Sequence, residues 1–205
     1  MTSPYRAVLG ADFDELHPRL RAYFDAIPAG STGRGRGVFD TVGTPRRWLW
    51  PVLAVFARSG VLFPVWQRRV PFTVSNVPAT GADGSPAVRA ERVFALRGRS
   101  RVMRDEIGVR DGALVDRLGS PVRAEAVFRT RVVDGGLRLA STRVVLCAGR
   151  LRLPLPRGIA PVVVLTERWD EAHDAQHVSI VVAHPLLGRL YQYAGTFRYD
   201  ITPGE

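Results

Sequence analysis

The stretch that decides the fold is "AHPLLGRLYQYAGTFRYD", residues 183–200. From Tyr191 onward, every second residue belongs to one largely aromatic face. The residues of that face are Tyr191, Tyr193, Gly195, Phe197, Tyr199 and Ile201. A period of two is typical of a β-strand that buries one face. Gly195, in the middle of the strand, indicates a bulge or a close approach by another group.

The residues before this strand predict a corner between two strands. Pro185 cannot donate a backbone hydrogen bond and keeps His184 extended, so we expect the preceding strand to end at His184. "PLLG" then makes the turn, with Leu186 and Leu187 tucked under the sheet. This interpretation favours a structural role for His184 over a catalytic one.

The same alternation recurs from Val65 to the end of the chain. In "VRAEAVFRTRVV", residues 122–133, an apolar face alternates with a face rich in arginine. Turn signals separate such runs, the clearest being "DGG" at 134–136. Many short strands joined by hairpins predict a mostly β (α+β) fold: a curved antiparallel sheet or a lipocalin-like β-barrel of about eight or nine strands.

Two helices are predicted before these strands. The first has apolar residues spaced by three and four between Phe13 and Phe24, and the second runs from Thr44-Pro45 to Gly60. We therefore expect one domain, 1–205, with a helical part (1–62) packing on an antiparallel β part (63–205). The glycine-rich run between the helices predicts a flexible loop or the start of an edge strand. The alternative is an anion site at Arg34 and Arg36.

Composition sets limits on the partners. All 29 basic residues are arginine and the formal net charge is +10, which indicates either an acidic partner or codon bias. The arginines are spread along the sequence, so we predict no nucleic-acid partner. Cys147 is the single cysteine, which excludes a disulfide within the chain.

The most hydrophobic window is "WLWPVLAVFARSGVLFPVW", residues 48–66. Two prolines and an arginine interrupt it, so its apolar core is too short to span a bilayer. It predicts a buried helix or an interfacial one, which leaves peripheral membrane contact as a possible interaction. The first residues contain no apolar signal region, so a cytoplasmic location is expected.

Three glutamates, Glu91, Glu125 and Glu167, fall in strand-like stretches. An inward-facing glutamate must pair with arginine or accept hydrogen bonds, and nearby strand arginines include Arg92 and Arg97. Two interpretations stay open. The glutamates form cross-strand ion pairs on the outer face, or they belong to a polar cluster in a cavity that orients a ligand or transfers protons.

No cofactor and no metal site are predicted. His173 and His177 lie four residues apart, but their segment sits between two strand-like runs and indicates a polar hairpin loop. No G-x-S-x-G motif is present, so no serine nucleophile can be recognised.

Several motifs together resemble a bacterial family called domain of unknown function 4166. They include "GRGRGVF", "ERVFALRGR", "RLRLPLP", "TERWDE" and "HPLLGRLYQYAGTF". The matching positions are Gly35, Phe94, Arg97, Gly119, Pro154, Pro156, Glu167, Pro185, Leu187, Gly188, Tyr193 and Gly195. The chain departs from the pattern near Val93, where the family would have tryptophan. Members are often fused behind dehydrogenase-like or epimerase-like modules; we expect a standalone member. The resemblance implies no established activity.

Two functions follow from the predicted barrel. The first is a module that holds a hydrophobic small molecule or lipid in its interior, anchored by Glu167, Arg97 and Tyr193. The other candidate ligand contacts are Glu91, Glu125, Tyr191 and Phe94. The alternative is a cofactor-free enzyme of secondary metabolism, a cyclase, isomerase or dehydratase, with a cavity glutamate or tyrosine as acid or base and an arginine stabilising negative charge. A solidly filled barrel would exclude both.

Overall fold

A computed structural model describes residues 2–203, which form eleven β-strands and three short α-helices. The strands are β1 (Ser31–Gly43), β2 (Trp66–Thr80), β3 (Pro86–Leu96), β4 (Arg99–Arg110), β5 (Ala113–Leu118), β6 (Ala124–Val133), β7 (Gly136–Ala148), β8 (Leu151–Pro154), β9 (Val162–Asp170), β10 (Ala175–His184) and β11 (Gly188–Pro203). The helices are α1 (Pro4–Leu9), α2 (Pro18–Phe24) and α3 (Trp50–Ala57). Short 3₁₀ helices cover Gly10–Glu15 and Arg47–Leu49.

Ten of the strands close into an antiparallel barrel. Strands β1 to β6 pair in sequence order, β1 also pairs with β11, and the order continues through β10 and β9 to β7. A β6–β7 pairing closes the ring and leaves no long free edge. β8 is an extra strand that pairs with the second half of β7. The predicted antiparallel barrel is therefore confirmed, but it has ten strands rather than eight or nine.

The helices are shorter than the sequence pattern predicts. Pro18 lacks an N–H and holds His17 in an extended conformation, so the first predicted helix is divided into a 3₁₀ helix and α2. The sequence pattern did not predict α1, which lies before it. The spacing still identifies the buried face, since Phe13 and Leu20 are fully buried. The second helix begins at Trp50, after a 3₁₀ turn, and not at Pro45.

The glycine-rich run is neither a loop nor an edge: it is β1, a barrel strand with partners on both sides. The predicted boundary at residue 62 therefore does not separate a helical part from a β part, because β1 lies before it. The glycines make room for aromatic residues of β11. A Cβ on Gly33 would lie 1.5 Å from the hydroxyl oxygen of Tyr199, and one on Gly37 would lie 2.1 Å from the carbonyl oxygen of Thr196.

The corner between β10 and β11 forms where the sequence predicts it. β10 ends at His184, whose Nδ1 accepts hydrogen bonds from the backbone N–H groups of Leu186 and Leu187. His184 therefore has a structural role in the turn. Leu186 and Leu187 are not tucked under the sheet: they project outward, and Leu186 is 83% exposed. The prediction for these two leucines is wrong because the tight turn directs both away from the barrel.

The helices lie at opposite ends of the barrel. At one end, the segment from α1 to α2 buries its apolar face against the inner faces of β4 to β7. At the other end, α3 and the residues after it, including Leu53 and Phe63, pack on the inner faces of β1 to β3 and β11. None of the helices within residues 2–203 has the length and apolar content to cross a bilayer. These ends are called the α1–α2 end and the α3 end below.

Candidate functional site

The barrel encloses a cavity of about 310 Å³. Its walls come from β3 to β7, from β9 to β11 and from β8–β9 connection residues, with Tyr5 of α1 at one end and Val52 and Phe56 of α3 at the other. Most of the lining side chains are aliphatic or aromatic, for example Met103 and Leu165. A largely apolar cavity of this size is typical of a small-molecule site.

Three neighbouring strands each direct one ionisable side chain into this cavity. Arg92 of β3 forms an ion pair with Asp105 of β4, and the Asp105 carboxylate is only 7% exposed. Asp116 of β5 lies beside them, and its Oδ1 is buried with no hydrogen-bond partner among residues 2–203. Buried polar atoms are nearly always hydrogen-bonded. The Oδ1 atom of Asp116 is therefore an exception in the cavity wall.

Burial changes the protonation of these carboxyl groups. It raises the pKa of Asp116 well above its usual range, and the nearby charge of Asp105 raises it further. Burial also raises the pKa of Asp105, although the Arg92 guanidinium opposes that rise. The group at Asp116 is therefore the one that most readily holds a proton.

Glu167 of β9 faces the cavity from the opposite wall. Its carboxylate accepts a hydrogen bond from the side-chain amide of Gln176 on β10, and both residues are buried. Burial raises the pKa of Glu167 to about 7, while the Gln176 hydrogen bond and the Arg92 charge oppose the rise. Arg92, Asp105, Asp116 and Glu167 are called the inner polar cluster below.

Tyrosines complete the polar surface of the cavity. Tyr5 reaches it from α1, and Tyr191 and Tyr193 reach it from β11. Burial raises the pKa of Tyr193, so its hydroxyl stays neutral at ordinary pH. The Tyr191 hydroxyl accepts a weak hydrogen bond from the backbone N–H of Phe63, at 3.5 Å. Among the predicted site residues, Glu167, Tyr191 and Tyr193 thus lie at the cavity.

Two of the predicted glutamates have outward-facing carboxylates. Glu91 pairs with Arg104 on the exposed face of β3 and β4, because it has the opposite strand parity to Arg92. Glu125 lies on β6, a strand that forms part of the cavity wall. Its carboxylate, however, is covered by arginines of the outer face. Those arginines are Arg110, Arg117 and Arg152.

The ion pairs of Glu125 reverse the effect of its burial. Burial alone would raise the pKa of Glu125, but hydrogen bonds from Arg110 and Arg152 outweigh it and lower the pKa to about 2. The cross-strand interpretation therefore describes Glu91 and Glu125, and the cavity interpretation describes Glu167.

The last two predicted residues lie away from the cavity surface. Arg97 occupies the two-residue turn after β3 and is exposed, so Arg92, five residues earlier on the inner face, is the cavity arginine. Phe94 is fully buried in the aromatic core, with its ring centroid 5.3 Å from that of Phe39 and 5.9 Å from that of Tyr193. Phe94 packs edge to face against the Tyr193 ring and does not line the cavity.

Sequence reasoning missed Asp105 and Asp116, although a signal for both is present. Asp116 lies between Leu114 and Leu118 on the apolar parity of β5, and Asp105 lies between Met103 and Ile107 on that of β4. A charge that interrupts an apolar face at a spacing of two indicates a buried polar group. Arg92 carries the same signal, before Phe94.

Comparison with known proteins places the chain in a family. A curated relative, "Uncharacterized protein YndH" of Bacillus subtilis (strain 168), is 25% identical over 191 residues, covering 90% of this chain and 91% of its own length. No solved structure matches the chain. The family model described as domain of unknown function (DUF4166) matches residues 16–197, a span that includes β1 and most of β11. The chain therefore belongs to the DUF4166 family.

Proposed function

We propose that the barrel binds an apolar small molecule or lipid that carries one neutral polar group. The apolar part of the ligand lies against residues such as Met103 and Leu165, and its polar group lies against the inner polar cluster. The cavity volume of about 310 Å³ is sufficient for a ligand of lipid-chain size. Because such a ligand is uncharged, it places no charge in the apolar part of the cavity.

The unpartnered Oδ1 of Asp116 is the observation that carries this proposal. A buried polar atom without a partner costs about 1–3 kcal/mol, and a ligand group that binds it recovers that cost. Because burial raises the pKa of Asp116, its carboxyl group tends to hold a proton and can donate it in a hydrogen bond. Arg92 beside it is a second donor. The matching ligand group is therefore an acceptor, a hydroxyl or carbonyl oxygen.

A displacement experiment tests the proposal. The neutral fluorescent probe N-phenyl-1-naphthylamine is bound to the protein and displaced by 1-decanol or by decane. We expect 1-decanol to bind about tenfold more tightly, equivalent to one hydrogen bond of about 1.4 kcal/mol. Asp116→Leu should remove this preference and keep the probe, whereas Asp116→Asn should retain much of it because the amide still donates.

A variant that fills the cavity is the control for location. Leu165→Trp should abolish probe binding, and its unfolding curve must show that it still folds. Failure of the wild-type protein to bind the probe, or an undiminished preference in Asp116→Leu, would contradict the proposal.

The raised pKa of Glu167 favours a second candidate, a cofactor-free enzyme. A carboxyl group with a pKa near 7 can both give and accept a proton at neutral pH. Glu167 or Asp116 would then act as acid or base on a bound apolar substrate, and Arg92 would stabilise developing negative charge. Cofactor-free isomerisation and dehydration use groups of these kinds.

Chromatography and mass spectrometry separate the two functions. The protein is loaded from a bacterial lipid extract, incubated, and its bound molecules are compared at the start and the end. A carrier returns its ligand unchanged, whereas an enzyme returns a molecule of altered mass or retention time. The double variant Glu167→Gln/Asp116→Asn should stop such conversion and leave ligand loading intact.

A further inference from the structure

The charged residues of the chain connections divide sharply between the two ends of the barrel. At the α3 end, six connections between strands contain seven arginines and no acidic residue. The arginines are Arg46, Arg47, Arg58, Arg97, Arg123, Arg150 and Arg157. Arginines that are spread along the sequence are thus brought together in space.

The opposite end has the reverse composition. At the α1–α2 end, residues 2–30 and the four connections contain nine acidic residues and three arginines. The acidic residues are Asp12, Asp14, Glu15, Asp25, Asp83, Asp111, Asp134, Glu171 and Asp174. The net charge of +10 therefore has a direction, with its positive pole at the α3 end.

The seven arginines of the α3 end have no acidic partner among residues 2–203. None of them forms a salt bridge with another described residue. Arg47 lies over the ring of Trp50, with its guanidinium carbon 5.7 Å from the ring centroid, and Arg123 donates to Ser59. Their charges remain available for an external anion.

Exposed apolar side chains are concentrated at the same end. Of fifteen large hydrophobic residues with exposed side chains, eleven lie in α3, in β8, or in connections and strand ends at the α3 end. They are Trp48, Val52, Val55, Trp66, Val122, Leu151, Leu153, Ile159, Val162, Leu186 and Leu187. Trp48 and Val55 are more than half exposed, so the hydrophobic segment 48–66 is only partly covered by the barrel.

We propose that the α3 end is a docking surface for an anionic lipid bilayer. Arginines without acidic neighbours bind headgroup phosphates, and tryptophan and leucine side chains enter the boundary between headgroups and acyl chains. This combination distinguishes a bilayer from a nucleic acid, because a phosphate backbone offers no partner for Val55 or Leu186. Val52 and Phe56 line the cavity from the same end, so docking directs that end of the cavity toward the lipid. Docking to a bilayer does not require that the cavity binds a ligand.

Vesicle co-sedimentation tests the docking surface. The full chain is mixed with vesicles of pure phosphatidylcholine or of phosphatidylcholine with an equal amount of phosphatidylglycerol. We expect at least tenfold stronger binding to the anionic vesicles, weakened by added salt. The variant Arg47→Gln/Arg58→Gln/Arg157→Gln should lose at least tenfold in affinity for anionic vesicles.

A charge-matched variant separates the surface from the overall charge. Arg129→Gln/Arg131→Gln/Arg138→Gln removes three exposed arginines from β6 and β7, toward the α1–α2 end. We expect this variant to lose less than twofold. Equal losses in the two triple variants would assign binding to net charge alone and overturn the proposal.

Fluorescence quenching reports whether apolar side chains enter the bilayer. Brominated acyl chains in anionic vesicles should quench the tryptophan fluorescence of the wild-type protein, and Trp48→Phe should lose a large part of that quenching. Two other results would overturn the proposal: no binding of the wild-type chain to anionic vesicles, or binding to a single-stranded oligonucleotide instead, through the same three arginines.

Discussion

Glu125 and Glu167 are both buried in the barrel wall, yet their environments give them opposite chemistry. Glu125 is 1% exposed and Glu167 is 5% exposed. The outer-face arginines Arg110 and Arg152 hold the pKa of Glu125 near 2, whereas burial beside a neutral amide raises the pKa of Glu167 to about 7. Burial alone therefore does not determine the pKa of a carboxyl group in this barrel. The charge of its neighbours decides the direction of the shift.

The difference extends from these residues to the two faces of the barrel wall. On the outer face, Glu125 is surrounded by arginines, stays ionised and adds to stability at neutral pH. On the inner face, three carboxyl groups share Arg92, so protonation is the less costly way to bury them. Burying these groups costs stability, and such clusters of perturbed pKa values are common at functional sites.

The variant with the largest expected effect on stability replaces Arg92, the arginine of the inner face. Arg92→Met should lower the free energy of unfolding by about 3 kcal/mol at pH 7, because it leaves Asp105 buried without its ion-pair partner. The loss should be smaller at pH 4, where Asp105 takes up a proton more readily. Urea denaturation measures both values. The control Arg89→Met breaks an exposed pair with Glu106 and should cost less than about 1 kcal/mol. Equal losses in the two variants would contradict the distinction between the faces.

The next test replaces the inner glutamate. Glu167→Gln should raise the free energy of unfolding by about 2–3 kcal/mol at pH 8 and change it little at pH 4. Its pKa is about 7 in the folded chain against 4.5 for an ordinary glutamate. Wild-type stability is therefore lost as pH rises between these values, by about 1.4 kcal/mol per unit. A variant less stable than the wild type at pH 8 would show instead that Glu167 is ionised and paired.

The smallest effect belongs to the outer glutamate. Glu125→Gln should lower the free energy of unfolding by about 1–2 kcal/mol at pH 7, less than its pKa suggests because its arginine partners are partly exposed to solvent. The folded pKa is near 2 and the usual value is 4.5. The difference between variant and wild type should therefore disappear as pH falls from about 5 toward 2. The exposed-pair control, Glu91→Gln, should change stability by under about 1 kcal/mol; an equal effect would remove the special role of Glu125.

The barrel could be predicted from the sequence where aromatic and aliphatic residues alternate. Tyr191 to Ile201 shows period two plainly, and β11 forms there. β1 could not be recognised as a barrel strand paired on both sides, because glycine has no side chain to mark a buried face. Its glycines are explained by Tyr199 and Phe197 of the neighbouring strand, and only the pairing register brings these residues together.

The site could be predicted in part for the same reason. Tyr193 follows from the alternation of β11. Glu167 lies in a strand-like stretch whose inward or outward direction the sequence leaves open, and both residues lie at the cavity. The ion pair of Arg92 with Asp105 depends on a contact between different strands, and the parity of Asp116 is meaningful only when the limits of β5 are known. The separation of arginines from acidic residues likewise depends on the topology. It appears only when successive connections between strands are assigned alternately to the α3 end and the α1–α2 end.

Gly195 has a practical consequence for relatives of this protein. A Cβ there would lie 2.1 Å from the carbonyl oxygen of Val38, beside the point where β1 shifts register between Phe39 and Thr41. No L-side chain fits that distance. The glycine two residues after Tyr193 is therefore required by the close approach of β1 to β11. In an alignment, the tyrosine–x–glycine triplet can serve as a fixed mark from which the inward and outward positions of the last strand are counted.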